Sequence, residues 1–239
     1  MSLQQRSLNF CSLLLGCLLL SGGQTVFADK EDINALQPSM SRQWQLVKDD
    51  KLRSIQVYTK LEDDRRVRSM KAEAEIPTSV GDMVEALMDF KRYPEWFWRL
   101  KEIRLLKQIS PLEAYVYVVF SPPMGFPDRD VVLHYTVEYE RGGQRASVHA
   151  SGVPDYLPPQ PGKVRMPYAE LDSKIAARDD GKIYFRGEVV MDPGGQLPVW
   201  ASNLVQRQGP YITMINLLKV LDKKPLPEQA MNPVKPGRT

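Results

Sequence analysis

Apolar and polar residues alternate along most of the chain, and a period of two predicts strands. Residues 54–62 (SIQVYTKLE) have a β-branched and aromatic core. Residues 68–77 set Met70, Ala72, Ala74 and Ile76 against charges as the hairpin partner. Further strands are predicted over 102–109, 114–120, 130–140, 145–153, 164–178 and 183–192. In 130–140, Val131, Leu133, Tyr135, Val137 and Tyr139 share one face, and Val132, His134, Thr136 and Glu138 the other. In 183–192, Ile183, Phe185, Val189 and Met191 oppose Arg186 and Glu188. RGGQ at 141–144 and DDGK at 179–182 supply turns. Regular strands with such turns imply a mostly antiparallel sheet whose apolar face must be covered.

The pattern switches to a helical period in two places. Thr78 or Ser79 offers an N-cap, Asp82 and Glu85 occupy the first turns, and Val80, Met83, Val84, Leu87 and Met88 form one face. Pro94 punctuates this helix, and YPEWFW (93–98) reads as a second short turn or helix. Near the C-terminus, DPGGQLPVWASNL (192–204) makes a Pro/Gly turn into a long helix, with Pro198 in its first turn. Trp200, Leu204, Val205, Tyr211, Ile212, Ile215, Leu218 and Leu221 form a wide apolar stripe, with Ser202, Gln206, Thr213 and Asn216 on a narrower polar one. Gly209-Pro210 is expected to kink or loosen it midway. The fold class is α+β. A long helix across a curved antiparallel sheet encloses either a solid core or a ligand cavity, and pattern alone does not separate the two.

Composition narrows the function classes. Of 239 residues, 43% are hydrophobic and the net charge is only +3, with acids and bases interspersed, so a nucleic-acid partner is not expected. The start of the chain combines Arg6, an apolar run over Leu8 to Leu20 too short to span a bilayer comfortably, and small residues ending at Ala28. That combination predicts an export signal over 1–28 cleaved after Ala28, hence a periplasmic protein in a Gram-negative host. Two alternatives are a retained anchor helix and a lipobox, LLGC, that would lipidate Cys17. Both cysteines, Cys11 and Cys17, fall in this segment, so the mature chain is expected to have no disulfide, thiolate metal site or cysteine nucleophile. Residues 29–41 read as a polar lead-in, 42–222 as one domain, and 223–239, with its prolines among charges, as a disordered tail.

Five segments in order carry a resemblance: WQLVKDDKLRSIQVYTK, PTSVGDMVEALMDFKRYPEW, PPMGFPDRDVVL, GKVRMPY and DPGGQLPVWASNL. Together they resemble START (StAR-related lipid transfer) domains of the helix-grip, Bet v 1-like superfamily, over about Trp44 to Leu221. Arg129-Asp130 after a proline loop and D-P-G-G-x-x-P before the last helix are the most specific of the five. The resemblance implies a curved antiparallel sheet gripping the C-terminal helix around one lipid-sized cavity, with that helix and neighbouring loops as a lid. It implies binding of sterols, phospholipids or sphingolipids without catalysis, and no cofactor. The aromatic cage of phosphatidylcholine-binding members would fall near Tyr117, Val131 and Ala169, of which only Tyr117 is aromatic. The acid/arginine pair of cholesterol-binding members is also unmatched, with Tyr135 at its second position.

The residues expected to line the cavity and lid are Tyr117, Val119, Val131, Leu133, Tyr135, Val137, Ala169, Leu171, Phe185, Trp200, Leu204, Tyr211 and Ile215. Tyr117 and Tyr135 either grip a polar group of the ligand or are satisfied core tyrosines. Arg129 and Asp130 are expected to form a structural ion pair, with a headgroup role as the alternative. Met124 and Phe126 either touch a membrane during lipid exchange or tuck beneath the C-terminal helix. Two histidines and no spaced carboxylates make a metal site an unfavoured reading. The expected activity is non-catalytic binding of one hydrophobic ligand by a monomer. The alternatives are a polyketide cyclase or dehydratase-like enzyme, which needs acid/base groups in the cavity, and an interaction module with a solid core.

Overall fold

Ten strands form one sheet, in a computed structural model that describes residues 43–62 and 68–223. The expected signal segment (1–28), lead-in (29–41) and tail (223–239) lie outside the described residues, apart from Lys223. The strands are β1 (Gln45–Asp50), β2 (Ile55–Leu61), β3 (Arg68–Ile76), β4 (Leu100–Ser110), β5 (Glu113–Phe120), β6 (Asp128–Glu140), β7 (Arg145–Gly152), β8 (Lys163–Arg165), β9 (Tyr168–Ala177) and β10 (Ile183–Asp192). Their order is β1-β2-β3-β10-β9-β7-β6-β5-β4, antiparallel throughout, while β8 pairs in parallel with the start of β6. The first hairpin thus joins the last strand through β3 and β10, Ile183 opposite Ile76 and Val189 opposite Met70.

Most predicted strands are present with similar bounds, and two features differ. β1 was not predicted: its alternation is spoiled by three charged residues in six, and it sits at the sheet edge, where charge is tolerated. The single strand expected over 164–178 is split into β8 and β9 by Met166 and Pro167, because proline cannot donate to the ladder.

Three helices lie on the apolar face: α1 (Val80–Met88), α2 (Tyr93–Trp96) and α3 (Val199–Asp222). Ser79 caps α1 by accepting a 3.0 Å bond from the Asp82 amide, and Val80, Met83, Val84 and Leu87 are its buried stripe. α1 packs over β7 and β9, while α3 runs across β1, β2 and β3 and touches α1 and α2. α3 runs as one helix through Gly209-Pro210, where a kink or loosening was expected. Pro198 stands as its N-cap and not inside the first turn.

The two halves of α3 are held differently. Met214, Leu217, Val220 and Leu221 are buried in the core on the C-terminal half. On the N-terminal half Ala201 and Gln206 alone are buried among the described side chains. Pro210 supplies no amide hydrogen for the carbonyl four residues before it, so the helix ladder is weakest where the two halves meet.

Candidate functional site

The sheet and helices do not close completely. A cavity of about 150 Å³ lies between α3 and the apolar face of the sheet. Its sheet wall comes from β3 (Met70, Ala72), β7 (Val148, Ala150), β9 (Leu171, Ser173) and β10 (Phe185, Gly187, Val189, Met191), with Tyr135 from β6. Small residues on β3 and β7 leave the space that aromatic residues of the next layer border. Tyr93, Trp96, Phe97 and Trp98 form its aromatic side, and Val205, Gly209, Pro210, Thr213, Met214 and Leu217 its helical roof. Gly209 lets the Trp98 ring lie close to the helix, since a Cβ there would stand 3.3 Å from that ring and press it aside by a few tenths of an ångström. A second cavity of about 110 Å³ shares Met70, Trp98, Met191 and Val205 with the first and extends beneath the N-terminal half of α3.

The main cavity is lined almost entirely by carbon, and its only titratable side chains are Tyr93 and Tyr135. The Tyr93 hydroxyl donates to the Leu87 carbonyl at 2.7 Å. Burial raises both phenols, Tyr135 to about 12, so both stay protonated at neutral pH. The Trp96 indole N–H is buried without a partner. Among the described residues no group of three or more His, Cys, Asp or Glu could hold a metal. His134 and His149 instead face Glu113 and Asp172, at 2.8 and 2.7 Å.

The structure sorts the expected site residues into three groups. Tyr135, Leu171 and Phe185 line the main cavity. Val131, Leu133, Val137 and Ala169 are buried on the same face but pack in the core beside it, and Ile215 and Tyr211 pack partly against that core. Tyr211 also ties α3 to β1, donating to Asp50 at 2.8 Å under Lys48. That hydrogen bond, with Arg53 second, holds the Asp50 carboxyl below its ordinary range.

Four expectations are corrected. Tyr117 and Val119 lie on the opposite face of the sheet, with Val132, in a small second core closed by Leu106, Tyr115 and Leu157. The register explains it: Tyr117 pairs with Val132, and paired residues share a face, so the inward residues of β5 are Val116 and Val118. Trp200 does not face the sheet; it is 51% exposed and leans on Phe126, ring centroids 6.1 Å apart. Leu204 is half-buried and lines neither cavity; α3 gives Val205 to both, and Ser202 and Gln206 to the second.

The fourth correction concerns Arg129 and Asp130, which are not an ion pair. Neighbours in a strand point to opposite faces. Asp130, fully buried on the outer side, accepts from Arg165 at 2.8 Å. Arg165 also donates to the carbonyls of Pro154, Leu157 and Pro158, binding the proline-rich loop to β6. The Tyr117 hydroxyl and Asp130 Oδ1 both lack a hydrogen bond; burial, then the Asp130 charge, pushes that phenol up to about 12. Arg129 turns inward to the second cavity, donating to the carbonyls of Pro127 at 2.5 Å and Pro193 at 3.4 Å. It therefore clamps the turn that starts α3. In that turn Gly194 and Gly195 have φ of 64° and 61°, and a Cβ on Gly194 would sit 2.9 Å from the Arg165 carbonyl.

A helix gripped by a curved antiparallel sheet over an apolar cavity defines a helix-grip α+β protein. No family profile matches the sequence. An uncharacterised protein of Pseudomonas aeruginosa is 25% identical over 186 residues, 78% of this chain and 90% of that one. The STAR-related lipid transfer protein (fragment 25–204) of Xanthomonas axonopodis superposes with a TM-score of 0.68 at 29% identity, covering 75% of this chain and 99% of that one. Human STARD10 superposes at 0.65 with 19% identity, over 82% and 80% of the two chains. The chain carries a START-type helix-grip domain.

Proposed function

We propose that this domain binds one hydrophobic ligand of the lipid class in the cavity beneath α3 and acts by binding, without catalysis. The observation that carries the reading is the main cavity itself, apolar on every side and roofed by a helix of which one half is weakly anchored. Its two titratable groups are phenols held protonated, which suits a hydrogen bond to a ligand and not general-base chemistry. The similarity to a protein named for lipid transfer supports the same ligand class. Apolar burial at roughly 25 cal/mol per Å² retains a lipid with no covalent bond. Native mass spectrometry and solvent extraction of the purified protein test it, with one bound lipid per chain expected. A protein that carries no lipid and takes none up from vesicles of total bacterial lipid overturns the reading.

Transfer between membranes is the finer part of this proposal. Met124, 82% exposed, and Trp200, 51% exposed, flank Phe126 at the N-terminal end of α3. Exposed apolar side chains beside a lid suit brief insertion into a bilayer surface. Replacing Met124 and Trp200 together with Glu is expected to slow delivery of a fluorescent lipid between vesicles. Export belongs to the proposal as well: cleavage after Ala28 would begin the mature chain at Asp29, which N-terminal sequencing distinguishes from lipidation at Cys17.

A further inference from the structure

The two cavities differ in chemistry, and the difference centres on Arg129. The second cavity is lined by Arg129, Arg99, Gln206, Ser202 and Ser121 among apolar residues, and no carboxylate lines it. Arg129 is only 3% exposed. Each acid near it in the chain is engaged elsewhere: Asp128 with Lys101 at 2.6 Å, Asp130 with Arg165, and Asp192 with the Gly194 amide at 2.9 Å. Burial lowers the Arg129 pKa and no neighbouring acid counters it. A buried guanidinium normally has a carboxylate or phosphate in front of it, because desolvating an unpaired charge is costly.

The hydrogen-bond count leads the same way. Of the five N–H groups of a guanidinium, Arg129 uses one from Nε and one from Nη1, both to backbone carbonyls. Its Nη2 has no partner among the described residues, and it lies 4.0 Å from where a Gly195 Cβ would stand. Across the cavity Gln206, 6% exposed, has a buried amide atom with no partner, whichever way the amide is turned. Ser202, in the first turn of α3, stands beside it, and that turn has neither a side-chain cap nor an acidic residue. A cation, an amide and a hydroxyl thus line one cavity adjoining the apolar one, and two of the three side chains are more than nine-tenths buried.

We infer that the second cavity is an anion subsite: Arg129, assisted by Gln206 and Ser202, takes the carboxylate or phosphate of an amphiphile whose apolar body lies in the main cavity. The inference rests on the lipid-binding reading and adds the charge of the ligand to it. Lipids without an anionic group would fill the apolar cavity and leave the guanidinium unmatched. Because Arg129 also holds the Pro193 carbonyl, the headgroup contacts the residue that clamps the lid's first turn.

Matched ligands that differ in one group test this. Binding of palmitate against hexadecanol, and of lysophosphatidate against monoacylglycerol, is measured by competition with a fluorescent lipid on the full-length protein. The acid is expected to bind about ten- to hundredfold more tightly than its neutral partner, the range for hydrogen bonds to a charged group. Preference for palmitate alone or lysophosphatidate alone tells a carboxylate source from a phosphate source. Arg129→Gln should bring the acid-to-neutral ratio close to one. Should that variant not fold, Gln206→Glu decides, since a carboxylate there would occupy Arg129 and suppress binding of the acids selectively. Equal affinity for acid and neutral lipid in the wild type, or an unchanged ratio in the folded variants, overturns the subsite and leaves lipid binding standing. Binding of neither partner in both pairs overturns both readings.

Discussion

Asp130 and Arg165 are the buried charges whose loss should cost most. Asp130→Ala leaves Arg165 facing three carbonyls and no counter-charge in a site 14% exposed, and breaking such a pair costs about 3–5 kcal/mol. Denaturant unfolding should report that loss, whereas Glu102→Ala, partner of a half-exposed surface pair with Arg104, should change stability by less than about 1 kcal/mol. At this scale the sequence was legible wherever a strand has one wet face. In β6, His134 and Glu138 mark the outer side, and Val131, Leu133, Tyr135 and Val137 were assigned to the inner face correctly. The strand predicted from Ala114, AYVYVVF, has no charged residue and both its faces are buried, and there the assignment inverted; the mark of the outer side is Glu113, which begins β5 and faces His134. Period two also separates Arg129 from Asp130, a constraint stronger than the appeal of adjacent opposite charges.

α3 is the element on which ligand exchange would depend. Among the described side chains, its N-terminal half buries two and its C-terminal half contributes four to the core, so local opening should be much easier at the first end. Hydrogen exchange is therefore expected to be faster at amides 202–208 than at 214–221, and equal protection along the helix would contradict the division. Pro210→Ala restores a backbone bond in the weak turn and should stabilise the protein by about 1–3 kcal/mol. The existence, position and greasy character of this helix were plain from sequence. Its buried face was not, since the roof includes Gly209, Pro210 and Thr213, residues that a search for an apolar stripe passes over. Gly209 was expected to kink or loosen the helix, and its missing side chain also lets Trp98 approach closely. The cluster of four aromatics within six residues at 93–98 was the signal for the cavity's other wall.

The molecule as a whole should show an alkaline limit to its stability. Burial raises the phenols of Tyr93, Tyr117 and Tyr135 above the ordinary value near 10, the last two to about 12. A raised pKa means the folded state holds the proton more tightly, so the contribution is complete below about pH 10 and lost as pH climbs towards 12. Guanidinium unfolding midpoints should accordingly drop between pH 9 and pH 11.5, and Tyr135→Phe should shrink that drop. The helix-grip architecture was legible because antiparallel strands, a capped first helix and a long last helix leave few arrangements in which the sheet's apolar face is covered. The dimensions of what lies inside were not, because volume is set by how closely side chains from five strands and three helices approach.

Those dimensions bear on how any affinity for this protein is to be interpreted. Cavities of about 150 and 110 Å³ fall short of the roughly 300–1,000 Å³ that holds a drug-sized ligand. Only a widened conformer could then accommodate a whole lipid, and the measured dissociation constant is the intrinsic one divided by the population of that conformer. Pro210→Ala, by favouring the narrow conformer, would weaken apparent affinity through that population, beyond any change it makes in the cavity roof. Under the proposed lipid binding, the narrow conformer would also keep the apolar interior from water whenever no ligand is held, so the helix that admits the ligand would protect the chain in its absence.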